Sequence, residues 1–168
     1  MQTPRKILDA HKQHYKDSCA ASGMEIVLKL EGLVPTEFRE FQDKYPGPET
    51  GFTKLCEMRR FGIDATEKTL NWDSGLVEIR SEIVAGRFPL ASLPGAEKWH
   101  IFAAVIENDK IHFLSRDYKI DDTIDMASDD SRLAEVRCKS VNFVTYRKLS
   151  HSLLKLPESH QAESKAMC

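Results

Sequence analysis

The chain has 168 residues, a formal net charge of −2 and a pI near 6.3, with lysines and arginines interspersed among aspartates and glutamates. Such a chain has no basic field for nucleic acid, so we expect no nucleic-acid partner. It contains no run of 18 apolar residues, and its first residues lack the apolar core of a secretory signal. We therefore expect a cytoplasmic protein that inserts into no membrane and that buries one core without covalent staples.

The first predicted helix begins at Cys19. Asp17 or Ser18 can cap its first turn, apolar residues follow at helical spacing, and Gly32 is a stop signal. The unpaired N–H groups and the dipole at a helix start lower the pKa of a thiol and favour the thiolate, the nucleophilic form of cysteine. Cys19 is therefore a candidate nucleophile, against the alternative that it is a small buried core residue.

Gln13 lies six residues before Cys19. From this position its side-chain NH₂ can point to the place where an attacked carbonyl oxygen becomes an oxyanion, beside the backbone N–H of Cys19. We therefore predict that Gln13 is an oxyanion donor. His11 and His14, which are close by in the sequence, need not reach the thiol and are expected at the surface.

Further helices precede a series of strands. Capping and stop residues predict three further helices. The first is short and ends at the Pro-Gly-Pro segment at 46–48, the second ends before Gly62, and the third begins at Asp73 or Ser74. Strands are predicted at about 88–93, 100–106 and 110–116 and around 141–145. Helices followed by antiparallel strands predict a single α+β domain over residues 1–150. Residues 151–168 are polar and aperiodic, which is typical of a disordered tail.

Two neighbouring strands form a predicted β-hairpin around Asn108 and Asp109. This turn pairs residues whose numbers sum to 217, which sets His100 opposite Asp117. Directly opposed side chains have Cβ atoms about 4.5–5.5 Å apart, close enough for a carboxylate to orient an imidazole. We therefore predict that His100 is a general base and Asp117 its orienting carboxylate. The alternative is that the histidine merely begins a strand and the aspartate forms a turn.

The remaining candidate sites are weak. The four cysteines, at positions 19, 56, 138 and 168, have neither paired nor metal-ligand spacing, which favours free thiols in a reducing compartment. The aspartates between 121 and 130 lack the glycine and the terminal glutamate of a calcium loop, so we expect a solvated acidic loop there. We expect no metal and no other cofactor.

The order Gln13, Cys19, His100 and Asp117 resembles that of the papain-like cysteine peptidases. Within them it is most similar to the bacteriocin-processing peptidases, which cut leader peptides after a double glycine. The likeness runs over about 12–118 and includes the helix at 20–32, the Gly-Ile strand at 61–65 and the helix that leads into a glycine, a proline and a strand at 79–90. It implies a papain-like fold in which the nucleophile helix packs on a C-terminal antiparallel sheet, with Cys19 facing His100 across a cleft.

Together these residues predict a cysteine-nucleophile hydrolase that cleaves a peptide or amide bond of a peptide or protein substrate. Ser18, Ala20 and Tyr118 depart from the residues usual in the family, which leaves open whether the cleft accepts a double glycine. The same constellation also serves deamidation and acyl transfer. The alternative from a different functional class is a binding protein: a catalytically silent papain-like module that holds a peptide or leader segment.

Overall fold

The computed structural model describes residues 2–48, 52–95, 98–119 and 122–150. The α-helices are α1 (Pro4–Ala10), α2 (Cys19–Leu30), α3 (Glu40–Lys44) and α4 (Trp72–Val84), and short 3₁₀ helices lie at Leu55–Phe61, Ser131–Leu133 and Val136–Cys138. The strands are β1 (Ile63–Asn71), β2 (Leu90–Pro94), β3 (Trp99–Glu107), β4 (Lys110–Ser115), β5 (Ile124–Ala127) and β6 (Ser140–Lys148). The tail predicted at 151–168 lies outside the described residues. In the described part of the chain, every helix is too short or too polar to cross a membrane.

The six strands form one antiparallel sheet in the order β1-β6-β2-β3-β4-β5. The predicted α+β class is confirmed. Helix α2 begins at Cys19, as predicted, and Gly32 follows its end with a φ of +68°. Helix α4 is capped one residue before its start by Asn71, whose Oδ1 accepts a hydrogen bond from the N–H of Ser74 at 2.9 Å. The prediction that Asp73 or Ser74 is the cap is therefore wrong, since both lie inside the helix.

The prediction of an acidic loop between 121 and 130 is wrong for strand β5. Four residues are too few to show a clear alternation of polar and apolar side chains. The strand is therefore defined by its pairing with β4 and not by its own sequence pattern. Met126 turns into the core and is 1% exposed. On the other face of the strand, Asp125 accepts hydrogen bonds from Arg5 and His112.

Helices α2 and α4 cover opposite faces of the sheet, because successive side chains of β3 alternate between the two faces. Ile101 and Ala103 share one hydrophobic cluster with Val27 of α2. Phe102 shares the other cluster with Ile79 of α4. A hydrogen bond from Lys98, just before β3, to Asp17, just before α2, places the start of β3 next to the first turn of α2.

Gly23 allows α2 to approach β3 closely. A Cβ atom at this position would lie 2.6 Å from Cγ2 of Ile101 and 3.3 Å from Cδ1 of Leu90. Carbon atoms in ordinary contact are about 3.5–4.0 Å apart, so only glycine fits here without displacing a neighbour. Because Gly23 lies about one helical turn after Cys19, this contact sets the position of the start of α2 on the sheet.

Candidate active site

The β3–β4 hairpin has the predicted register. Ile106 pairs with Ile111, and the other pairs of the ladder have the same sum of residue numbers. Both turn residues have a positive φ, 49° and 63°, as a two-residue type I′ turn requires. His100, near the start of β3, and Asp117, just beyond the end of β4, consequently lie at the same end of the hairpin.

His100 is buried, with 2% of its surface exposed. Burial lowers the pKa of its imidazole, the charge of Asp117 opposes this effect, and the charge of Lys98 adds to it. Within the described residues, Nδ1 of His100 has no hydrogen-bond partner. Oδ1 of Asp117 instead accepts a hydrogen bond from the backbone N–H of Tyr118 at 2.6 Å. The carboxylate therefore acts on the imidazole through its charge, without the direct hydrogen bond that the register predicts.

Cys19 is the first residue of α2, and its side chain is a partly buried free thiol. Burial raises the pKa of this thiol above its ordinary value, and Asp117 raises it further. Lys98 and the backbone N–H of Ala20 lower it, but by less. The expectation of a depressed thiol pKa is therefore contradicted, because loss of hydration outweighs the helix start. The resting group is a thiol at neutral pH.

Gln13 is fully buried beside the segment that leads into α2. Its Nε2 donates hydrogen bonds to the backbone oxygens of Tyr15 and Lys16, at 2.7 and 3.1 Å. Its Oε1 is buried without a partner among the described residues. Both amide hydrogens are thus used within the loop, and the side chain reaches an oxyanion only by giving up one of these bonds.

A buried polar network lies along α2, and the sequence did not predict it. Nε2 of Gln42 donates to Oε1 of Glu25 at 2.7 Å, and Oε1 of Gln42 accepts from Oγ of Ser18 at 3.0 Å. Nζ of Lys29 lies 2.9 Å from Nδ1 of His11, whose pKa burial lowers. The expected surface position of His11 is wrong, since it is 1% exposed. One feature of the sequence could have indicated this network: polar residues at positions 18, 22, 25 and 29, which helical spacing places on one face of α2.

Lys98 joins the start of β3 to the segment before α2. Its Nζ donates a hydrogen bond to Oδ1 of Asp17 at 2.6 Å. The charges of Lys98 and Asp117 act on both Cys19 and His100. The structure therefore brings Cys19, His100 and Asp117 to the same end of the sheet.

The thiol and the imidazole nevertheless belong to different faces of the sheet. The ring of His100 lies edge-on to that of Phe102, with centroids 5.7 Å apart, on the face that α4 covers. Helix α2 covers the opposite face, which carries Ile101. Among the described hydrogen bonds, none joins the sulfur of Cys19 to the imidazole. Proton transfer between the two therefore requires a local movement of the imidazole or of the start of α2.

Among the residues that the structure describes, the other clusters offer no second site. Glu107, His112 and Asp125 place possible metal ligands within 4.8 Å of one another. The guanidinium of Arg5 already pairs with both carboxylates, at 2.6 and 2.8 Å, and so takes the place that a metal cation would have. Of the remaining cysteines in the described residues, Cys138 is a free exposed thiol and residue 56 is disulfide-bonded, which corrects the expectation of free thiols at that position.

Comparison with known proteins gives no match to a family model, to a curated protein or to a solved structure. A function for this chain therefore depends on the residues and geometry of the site described above.

Proposed function

We propose that this protein is a cysteine-nucleophile hydrolase with a papain-like arrangement, acting on a peptide or amide bond. The observation that carries the proposal is the convergence of Cys19, His100 and Asp117 at one end of the sheet. Support comes also from the buried Nδ1 of His100, which has no partner among the described residues. Leaving such an atom unsatisfied costs about 1–3 kcal/mol, and native proteins usually do so for a reason such as catalysis.

Cys19 attacks the substrate carbonyl while His100 accepts the thiol proton. The carbonyl oxygen becomes an oxyanion, for which the backbone N–H of Cys19 is a donor. The imidazolium then gives its proton to the leaving amine, and an acyl-enzyme remains on the sulfur. Water, deprotonated by His100, releases the acid and restores the thiol. Asp117 stabilises the imidazolium through its negative charge in both steps.

The pKa directions fit general-base catalysis better than a preformed thiolate–imidazolium pair. Burial raises the pKa of Cys19 and lowers that of His100, so both groups are neutral near pH 7. A neutral imidazole can accept the proton as the sulfur attacks. We expect the rate to fall as the pH drops through the pKa of His100, below its ordinary value of 6.5, because the base is then protonated.

In this proposal, binding of the substrate must also bring the imidazole of His100 and the thiol of Cys19 together. Catalytic contacts are often long in a resting enzyme and tighten only with substrate bound. Gln13 contributes to the oxyanion site in this proposal only if substrate displaces one of its loop carbonyls. Water is the simplest acceptor of the acyl group, and deamidation or acyl transfer uses the same residues.

The test is a set of variants assayed on a fluorogenic peptide library. Cys19→Ala should abolish turnover, His100→Ala should cost nearly as much, and Asp117→Ala should cost less. Cys138→Ala and His112→Ala are matched controls, since Cys138 is an exposed thiol and His112 is bound to Asp125 on another part of the sheet. Both controls should retain full activity. Turnover that survives Cys19→Ala would exclude the mechanism.

The second candidate is a module that binds a peptide in the same cleft without cleaving it. The raised thiol pKa and the lack of described hydrogen bonds between Cys19, His100 and Asp117 favour this alternative. It predicts no turnover by the wild type and equal peptide affinity for wild type and Cys19→Ala. Measurement of both on the same library separates the two functions.

A further inference from the structure

We propose that Lys98 is a positioning residue for Cys19, whose ammonium holds the segment before α2 against the start of β3 and places a positive charge beside the thiol. The proposal deepens the proposed function and rests on it for its catalytic consequence. The placement of the charge itself can be tested without any substrate.

Hydrogen bonds give Lys98 a defined place. Its Nζ donates to Oδ1 of Asp17 at 2.6 Å and to the backbone oxygen of Lys16 at 3.1 Å. The same Lys16 oxygen accepts from Nε2 of Gln13 at 3.1 Å. The ammonium and the amide therefore meet at one carbonyl, three residues before Cys19. Because the Gln13 amide carries no charge and donates both hydrogens to the loop, the ammonium is the one of these two groups that can favour a negative sulfur.

The charges around the thiol have opposite effects. Lys98 is the strongest of the influences that lower the pKa of Cys19, and the backbone N–H of Ala20 helps it. Burial and the carboxylate of Asp117 raise that pKa. The interaction is reciprocal, since Cys19 raises the pKa of Lys98. Without Lys98, only the backbone N–H groups of Ala20 and Cys19 would oppose the two influences that disfavour a thiolate.

The experiment measures alkylation of Cys19 by iodoacetamide between pH 6 and pH 10, with mass spectrometry of the Cys19 peptide. Cys138, a free exposed thiol of the same chain, is the internal reference. We expect Lys98→Met to lower the rate at Cys19 about 3-fold to 10-fold at pH 8, since one pKa unit changes the thiolate fraction tenfold. Lys98→Arg should restore most of the rate. Lys119→Met, which removes an exposed lysine just beyond Asp117, should leave it unchanged.

A purely structural role for Lys98 makes a different prediction. Asp17→Asn removes the partner carboxylate but keeps the ammonium and its hydrogen bond to the backbone oxygen of Lys16. The rate at Cys19 should therefore not fall if the ammonium acts on the thiol through its charge. A fall as large as that in Lys98→Met would overturn the proposal, as would equal rates in the wild type and Lys98→Met. Thermal unfolding of each variant shows that the fold is retained.

The result also separates this proposal from the proposed function. A slower, alkaline-shifted titration in Lys98→Met supports the role of the ammonium even if no peptide is cleaved. If Cys19→Ala abolishes turnover while Lys98→Met leaves both the alkylation profile and the pH–rate profile unchanged, the hydrolase stands and the role of Lys98 fails.

Discussion

Replacing Gly23 by alanine tests whether the contact between α2 and β3 positions Cys19. The added Cβ would lie 2.6 Å from Cγ2 of Ile101, about 1 Å closer than an ordinary carbon contact. Alanine stabilises a helix by up to about 1 kcal/mol relative to glycine. Forcing an extra carbon into a packed core costs about 1–3 kcal/mol. The free energy of unfolding should therefore fall by about 0–2 kcal/mol, and the protein should still fold.

The effect on the site should be larger than the effect on stability. Relief of the overlap moves the start of α2 away from β3 by several tenths of an ångström, and Cys19 moves with it. A misplacement of about 1 Å at a catalytic centre can cost about 10²-fold in rate. Under the proposed function, Gly23→Ala should therefore lower turnover by about 10-fold to 100-fold. Urea unfolding followed by fluorescence and turnover of the peptide library measure the two effects.

Two variants control this experiment. At Gly47 an added Cβ would meet no atom within 4 Å, so Gly47→Ala should change neither stability nor turnover by much. The double variant Gly23→Ala, Ile101→Leu removes the Cγ2 atom that the new carbon meets and should recover part of the lost activity. Wild-type turnover in Gly23→Ala, together with a gain in stability of about 1 kcal/mol, would refute the reasoning.

Three further outcomes follow from the packing and the charges. Burial raises the pKa of Glu25 to about 7 from an ordinary value of 4.5. The unfolding free energy of the wild type relative to Glu25→Gln should therefore rise by about 3 kcal/mol as the pH falls from 7 to 4.5. Urea unfolding across that range measures this rise, and a difference independent of pH would contradict the prediction. Gln13→Ala should lose about 1–3 kcal/mol of stability along with activity, because it removes two hydrogen bonds to loop carbonyls, each worth about 0.5–1.5 kcal/mol. A loss of turnover at unchanged stability would instead indicate a dedicated oxyanion donor. Gly75→Ala would place a carbon 2.2 Å from Cε2 of Phe143 and should cost about 1–3 kcal/mol of stability despite its better helix propensity. Turnover should be unaffected at temperatures where the variant is folded.

Local sequence features determined the elements that carry the candidate site. Apolar spacing and Gly32 were enough to indicate a helix that starts at Cys19 and ends shortly before Gly32. The predicted side-chain cap was wrong, since Ser18 is the N-cap residue but makes no capping hydrogen bond. Two apolar runs and a turn centred between Asn108 and Asp109 were enough to set the register that brings His100 and Asp117 to one end of the hairpin. These features could be read because helix and strand periods depend on neighbours only a few residues apart.

The tertiary structure decided the state of each side chain within those elements. The helix start favours a thiolate at Cys19, yet burial raises the pKa of the thiol, and the degree of burial depends on what other segments pack around it. The amide of Gln13 turned to loop carbonyls near it in space, and the polar face of α2 became buried because Gln42 and His11 supplied partners from outside the helix.

The same reason explains why Lys98 was not recognised from the sequence. Its relation to Cys19 passes through a hydrogen bond to Asp17, 81 residues away along the chain. No local period or motif links positions so far apart. The sequence alone determined which residues carry the candidate chemistry and where the helix and hairpin place them. Only the packing of the helix on the sheet decided which charges reach the thiol, because hydration and Coulomb interactions depend on distance in space and not along the chain.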